Sequence, residues 1–472
     1  MKLFGTDGIR GRVGEFPITP SDMKKLGYAI SKSIFKDKAG LVLISNDGRA
    51  SADEIEDALR EGISKQGAHI ASLDLLSTPA LSYFVRNIQV TEVKDNSKIT
   101  RHIGIQITAS HNCYQDNGIK IFDTNGLKIS GEQENEIENI FSNLDKIPTN
   151  VKPIWKDINV KDITAKEANE EYNLATREYL QNKIKKANDE KFLIMIDCAN
   201  GATSNHVEDI FGDSNVVDFL PIYNQPSGTN INHKCGTTYI DALKKKIKFH
   251  NNVEQRKIDL GVAFDGDGDR AIFVTPNGNV IDGDEILYIL SKFKKEYKDY
   301  QGPVVGTVMT NYGIQAAYKK IGIDFHVADV GDKFVYQKMT DINAEIGGES
   351  SGHIITTDFI KIPIGDGILT LINLLEVLSK LKLNLEDFKK ITSDIIIPSK
   401  LVNITVSDKK KFMENKINQK VFVDLEKKAA DSGRVLIRAS GTEDLIRVLI
   451  EHQDLKEINK LEKYFCDNIQ KT

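Results

Sequence analysis

Cysteine is scarce in this chain: 472 residues hold four, Cys113, Cys198, Cys235 and Cys466, and no two of them form a CxxC pair. That spacing excludes a disulfide scaffold or a zinc ribbon and suggests free thiols in a reducing compartment. Long apolar runs are missing too, since none approaches the ~20 residues of a membrane span. The opening residues, MKLFGTDGIRGR, are broken by glycine and charge before a stretch of signal-peptide length can form. A cytoplasmic location is the expectation. Nor does charge of one sign dominate. The formal net charge is -5, which gives no reason to expect nucleic acid or an anionic membrane as partner. Any anion this chain binds must be met by local cationic pockets.

What is present describes an ordinary globular protein, 40% apolar and 28% charged. The length exceeds what one core supports, so three or four domains are expected. Short β-branched runs alternate with amphipathic stretches, the pattern of α/β layers with mixed sheets. Strands are predicted at Leu41–Ser45, Ile103–Thr108, Phe192–Ile196, Ile258–Phe264 and Pro303–Val308. Helices are predicted at Asp284–Lys295, Gly313–Ile321 and Gly367–Lys380. The polar stretch Gln89–Arg101 reads as an exposed excursion and Asn143–Lys166 as a linker. Leu381–Pro398 and the lysine-rich Lys409–Lys428 suggest a separate C-terminal domain. Several strands run into polar, glycine-containing loops, and in α/β sheets ligands gather beyond the carboxyl ends of strands.

Four loops carry candidate chemistry. In the first, a strand delivers Ser110 and His111 into a turn, and Asn117-Gly118 brings Lys120 back to the same end. A serine hydroxyl is a weak nucleophile without a base or cation beside it, and His111 and Lys120 are the candidates. A polar hairpin with a surface serine is the plainer reading. The second loop, Asp265-Gly-Asp-Gly-Asp-Arg270, places carboxylates at alternate positions, with glycines that let them converge. Such a cluster calls for a hard cation, Mg²⁺ or Ca²⁺. An EF-hand is excluded, because its sixth position would be Arg270 instead of glycine and its twelfth Pro276 instead of glutamate. Arg270 could then grip a phosphate held by the metal.

The third loop contains Gly348-Glu-Ser350-Ser-Gly352, which matches the G-x-S-x-G pattern of serine hydrolases. That pattern needs a helix after the serine, whereas the residues from His353 to Thr357 read as a strand, so Ser350 is discounted as nucleophile. Glu349 and Ser351 suit hydrogen bonding to sugar hydroxyls, and His353 could aid proton transfer. In the fourth, a strand at Val435–Arg438 meets a predicted helix start, with Ser440 and Glu443 as a capping box. Exposed amides there, bracketed by Arg438 and Arg447, would bind an anion.

In this order the four loops resemble those of the α-D-phosphohexomutase superfamily, over nearly the whole chain from Gly5-Thr-Asp-Gly-Ile-Arg-Gly11 to Arg447. The resemblance implies an α/β, four-domain phosphohexomutase architecture: three similar α/β domains with mixed sheets and a C-terminal α+β domain around a central cleft. The corresponding divisions are 1–163 with the phosphoserine loop, 164–281 with the metal loop, 282–385 with the sugar loop and 386–472 with the phosphate loop. It implies that Ser110 is a phosphoserine in the active form, and that Ser110, Asp265, Asp267 and Asp269 hold one Mg²⁺ per chain. A hexose 1,6-bisphosphate would prime the enzyme. Ser110, His111, Lys120, Arg270, Arg10 and His353 become the catalytic candidates, with Lys120 favoured over Arg10 to assist the sugar hydroxyl. Glu349 and Ser351 become sugar ligands; Arg438, Ser440, Gly441, Thr442 and Arg447 become phosphate ligands.

Within the superfamily, Phe4–Gly11, Asp197–Ala202, Gly228–Asn232 with Cys235-Gly236, and Val305–Met309 are most like members acting on glucosamine phosphates for UDP-N-acetylglucosamine and peptidoglycan precursors. Cys113, Asp444, Ser350, Lys333 and the Asp47-Gly-Arg49 turn depart from that branch, which leaves mannose or glucose phosphates as the alternative. A non-catalytic sugar-phosphate sensor is the reading from a different class. A phosphosugar substrate, and a monomer or homodimer, complete the expectations.

Overall fold

One strand pattern is laid down three times along the chain. The computed structural model describes residues 2–36, 40–88, 101–148, 163–184, 191–359, 361, 363–439 and 444–470. The first sheet is built from β1 (Ile9–Arg12), β2 (Gly40–Asn46), β3 (His69–Leu75), β4 (Arg101–Ile107) and β5 (Asp116–Phe122), in the order β1-β5-β4-β2-β3. β2 runs parallel to β3 and β4, then β4 turns back antiparallel into β5, which pairs with β1. The second sheet repeats this with β6 (Phe192–Asp197), β7 (Val217–Ile222), β8 (Leu260–Phe264), β9 (Ala271–Val274) and β10 (Val280–Ile281), ordered β10-β9-β8-β6-β7. There β6 is parallel to β7 and β8, and β8 turns back into β9. The third has β11 (Val304–Thr307), β12 (Phe325–Ala328), β13 (Ile346–Gly348) and β14 (Ile354–Thr356), ordered β12-β11-β13-β14, with β11 parallel to β13 and β13 antiparallel to β14.

The sequence explains the central strands. β2 (GLVLISN) and β8 (LGVAF) are buried at every residue, so they read as continuous apolar runs with no alternation. Helices cover them. The helix Pro20–Phe35 is capped by Thr19, whose side chain accepts from the Asp22 N–H, and it buries Met23, Leu26, Ile30 and Ile34. It crosses Ala52–Ser64 closely because two glycines face the contact. A Cβ at Gly27 would lie 2.4 Å from the Leu59 carbonyl oxygen, and one at Gly62 would lie 2.0 Å from that of Lys24.

The chain forms two compact units, Met1–Val308 with His326–Phe388, and Met309–Phe325 with Lys389–Thr472. In the second unit β15 (Ser399–Thr405), β16 (Gly433–Ala439) and β17 (Leu445–His452) form a sheet in the order β15-β17-β16, antiparallel throughout. Phe412, Leu425, Phe465, Val448 and Ile450 fill its core. The recruited stretch is tied to this sheet where Arg434 Nη2 donates to the Thr310 carbonyl at 2.6 Å and the Tyr312 N–H donates to Glu451 at 3.2 Å.

One expectation is corrected here. The segment predicted as a capped helix after Arg438 is the strand β17. Leu-Ile-Arg-Val-Leu-Ile-Glu-His favours a pleated, half-buried surface, and its pairing with both neighbours outweighs the capping pattern at Ser440 and Glu443. Among the described residues after β16 no helix begins before Leu455, and Leu445–His452 is strand. Ser440, Gly441, Thr442 and Glu443 lie outside the described residues, as do 89–100 of the expected excursion and 149–162 of the expected linker. Among the described residues no helix is long and apolar enough to cross a membrane.

Candidate active site

Three of the candidate turns occupy the same step of the repeated pattern, the passage from a parallel strand into its antiparallel neighbour. Between β4 and β5 lies Ser110; between β8 and β9 lie Asp265, Asp267, Asp269 and Arg270; between β13 and β14 lie Glu349, Ser351 and His353. Apolar strands drive each turn to the sheet end, which is why the polar groups arrive there buried.

Ser110 and the three aspartates come together. Ser110 Oγ donates to Asp265 Oδ2 at 2.6 Å, and one carboxylate oxygen from each aspartate lies within 4.8 Å of the others. Lys120 Nζ is a donor to Asp267 Oδ2 at 2.8 Å and to Asp269 Oδ2 at 2.7 Å, and lies 3.5 Å from Asp7. Arg270 Nε is 3.8 Å from both Asp265 and Asp269. Arg10 pairs with Asp7, and Lys128 bridges Asp7 and Asp332.

Burial and neighbours set the charges. Burial pushes the Asp265 carboxyl well above the usual range, and Asp269 and Asp267 push it further. Asp269 is desolvated as well, but Lys120, His353 and Arg270 outweigh this and hold it well below the usual range. Desolvation would lower the Lys120 ammonium; Asp267 and Asp269 reverse that and raise it. Lys120 is a hydrogen-bond donor to both aspartates in this arrangement. His111 Nδ1 is 3.3 Å from Ser110 Oγ, and burial, then Arg270 and Arg10, lower its pKa to about 3, so the ring is neutral.

The aspartate loop is fixed by its backbone. The carbonyls of Gly266, Asp267 and Gly268 accept from the N–H groups of Ala202, Thr78 and Gly367, three separate segments, at 2.8, 2.9 and 3.0 Å. The Thr78 hydroxyl also donates to Asp267 Oδ2 at 2.6 Å. Asp267 Oδ1 and Asp269 Oδ1 are buried without a hydrogen-bond partner. Three buried carboxylates with unfilled lone pairs form an all-oxygen donor set that fits a hard divalent cation.

On the third turn Glu349 Oε1 accepts from the Gly331 N–H at 2.9 Å. Ser351 Oγ and His353 Nε2 are buried without a hydrogen-bond partner. His353 Nε2 stands 3.9 Å from Asp269 and 4.0 Å from Asp332, which joins this turn to the aspartate cluster. Arg438 and Arg447 belong to the second unit, directly opposite each other in the β16–β17 register.

Four family models cover the chain: Phosphoglucomutase/phosphomannomutase alpha/beta/alpha domain I over residues 1–148, domain II over 170–278, domain III over 282–394 and the C-terminal domain over 401–468. The chain belongs to the phosphoglucomutase/phosphomannomutase family. Among family members, the chain is 36% identical over 471 residues to a phosphoglucosamine mutase of Alcanivorax borkumensis, covering 100% of this chain and 99% of that one. A solved phosphoglucomutase/phosphomannomutase family protein from Burkholderia thailandensis superposes with a TM-score of 0.74 at 19% identity, covering 99% and 96% of the two chains. Aspergillus fumigatus N-acetylphosphoglucosamine mutase, solved with GlcNAc-6P and magnesium, gives 0.64 at 15% identity over 99% and 95%. These last two likenesses carry the fold.

The sequence reading missed Asp7, Thr78, Lys128, Asp332 and Asn232. Asp7 sits inside the quoted Thr6–Arg10 motif and could have been found there, as a carboxylate three residues before Arg10. Thr78 and Asn232 act through backbone neighbours more than a hundred residues away, for which sequence carries no local signal.

Proposed function

We propose that this chain is a phosphoglucosamine mutase, interconverting glucosamine 6-phosphate and glucosamine 1-phosphate through phosphorylated Ser110 and a bisphosphorylated sugar. The observation that carries the reading is the buried hydroxyl of Ser110, 2.6 Å from one of three clustered aspartates. The near-full-length likeness to a bacterial phosphoglucosamine mutase supports the choice of sugar. The division into 1–163, 164–281, 282–385 and 386–472 is retained as part of this reading.

Asp265, Asp267 and Asp269, with the Ser110 phosphoryl group, would hold one Mg²⁺. When bound it would supply a counter-charge for the phosphoryl oxygens. The chain's own residues account for the rest. A hydroxyl of the bound sugar phosphate forms a bond to phosphorus as the bond to Ser110 Oγ breaks, and the proton it gives up ends on Ser110 Oγ. His353 Nε2, buried without a hydrogen-bond partner, is read as the carrier of that proton. Arg270 and Lys120 offer donors to the oxygens of the moving group. Glu349 and Ser351 orient the sugar hydroxyls. Arg438 and Arg447, with Ser440, Gly441 and Thr442, are read as the grip on the second phosphate. The bisphosphate then turns end for end and returns a phosphoryl group to Ser110. A hexose 1,6-bisphosphate primes the first cycle.

The test is kcat/KM with glucosamine 1-phosphate, mannose 1-phosphate and glucose 1-phosphate, each with Mg²⁺ and a priming bisphosphate. The glucosamine substrate should give the highest value. A preference for mannose or glucose phosphate would overturn the assignment of sugar, and no turnover of any would favour a sensor.

A further inference from the structure

The carbonyl oxygens on either side of the Ser110 turn are each held twice, and two side chains supply all four bonds. Arg49 Nη2 donates to the carbonyls of Ser110 and Asn112, both at 2.9 Å. Asn232 Nδ2 donates to the same two carbonyls, at 2.8 and 3.0 Å. A carbonyl has two lone pairs, so both acceptors are saturated.

Arg49 is itself locked. It is 2% exposed, its Nε donates to Asp47 at 2.9 Å, and its Nη1 donates to the carbonyls of Cys113 and Asp116. Asp47 also accepts from the Thr108 hydroxyl at 2.6 Å, and that oxygen takes the Ser110 N–H at 2.8 Å. The amide and the carbonyl of Ser110 thus both trace back to one buried Asp47–Arg49 pair. Asn232 arrives from the second repeat, with its own N–H donated to the Ala199 carbonyl at 2.9 Å. Between them passes the aspartate loop: a Cβ on Gly266 would lie 2.6 Å from the Ser110 carbonyl oxygen and 3.0 Å from Asn232 Nδ2.

The turn needs holding because Ser110 has φ 52°, a left-handed conformation that disfavours any side chain. We propose that Arg49 and Asn232 are positioning residues for the phosphoryl transfer, clamping the turn so that the Ser110 hydroxyl stays against the aspartate cluster. The inference rests on reading Ser110 as the phosphoryl carrier. Neither clamp is assigned a contact with sugar, so their loss acts on kcat and not on substrate affinity.

The test compares Asn232→Gly, Asn232→Asp and Arg49→Lys with the parent and Ser110→Ala. Asn232 has φ 55°, which glycine tolerates, and aspartate keeps the shape while removing the donor. Lysine can keep the pair with Asp47 but not the planar fork. Each clamp variant should lose ~10–100-fold in kcat, the scale of a misplaced reacting group. KM for glucosamine 6-phosphate should stay within about twofold, since uniform binding is untouched. The inference is overturned if kcat stays within about twofold of the parent, or if KM rises as kcat falls. Should an Asn232 variant fail to fold, the same split in Arg49→Lys decides. Ser110→Ala separates the two claims: its inactivity upholds the carrier reading, whatever the clamp variants do, and its full activity would remove both.

Discussion

The turn at Ser110 and the turn from Glu349 to His353 sit at the same step of the same strand pattern, yet their polar groups are treated differently. Around Ser110 the amide, the carbonyl and the hydroxyl all have partners within the chain, and the aspartate loop beside it is held by N–H groups from three segments. At the other turn Ser351 Oγ and His353 Nε2 are buried with no hydrogen-bond partner. Buried donors and acceptors left open cost about 1–3 kcal/mol each, so a ligand that fills them gains what the fold forgoes. The lesson is a division of labour. On the proposed reading the Ser110 turn is preorganised by the protein, and the other turn keeps groups open for the sugar and for the proton it gives up.

The sharpest way to break that comparison is to remove the hydroxyl that the first turn exists to present. Ser110→Ala should lower kcat by at least ~10³, the scale set by positioned catalytic groups. Steady-state assays with a priming bisphosphate check this, and near-normal turnover would end the distinction between the turns. Next, Asp267→Asn leaves the backbone hydrogen bonds of its loop in place but removes a carboxylate oxygen. Divalent-cation affinity should weaken by at least ~10-fold, read by titration calorimetry with Mg²⁺, with kcat falling in parallel. Unchanged affinity would move the cation elsewhere.

On the recognition side, Glu349→Gln keeps the acceptor for the Gly331 N–H but loses the charge. KM should rise about tenfold with a smaller change in kcat, because a hydrogen bond to a charged group is weakened in ground and transition states alike. A fall in kcat alone would place Glu349 in the chemistry and blur the comparison.

The smallest effect concerns the segment behind the aspartate loop, where Ser77 precedes Thr78. His206 Nε2 accepts from the Ser77 N–H at 3.4 Å and its Nδ1 faces Asn173 Oδ1 at 2.7 Å, so the buried ring is neutral. Burial lowers its pKa to about 3. The unfolded chain takes up a proton below about 6.5 while the folded chain does not, so stability is lost as pH falls from about 6.5 toward 3. His206→Asn should flatten that slope between pH 7 and 5 in thermal melts, even if its melting temperature is lower throughout. An unchanged slope would assign the acid sensitivity to other groups.

Much of the site could be read from sequence because its key residues cluster. Asp265, Asp267 and Asp269 converge within five residues, and Ser110 with Lys120 leaves and re-enters one hairpin. The strand reading after His353 holds, since β14 follows and not a helix. What could not be read depends on contacts between distant segments. The Arg49 fork reaches carbonyls 61 to 67 residues away and Asn232 reaches carbonyls 120 and 122 residues away. The error after Arg438 had a local cause. The capping pattern at Ser440 and Glu443 competes with the apolar run Leu445–Ile450, and strand pairing on both edges of β17 favours the strand.

The most direct measurement locates the phosphoryl group. The chain is incubated with glucose 1,6-bisphosphate and Mg²⁺, freed of small molecules, and divided between peptide mass analysis and a single-turnover reaction with glucosamine 6-phosphate. The account predicts the phosphoryl group on Ser110, and its transfer to the added sugar at a rate no slower than steady-state turnover. A phosphoryl group on another residue, or full turnover by a chain that never carries one, would contradict it.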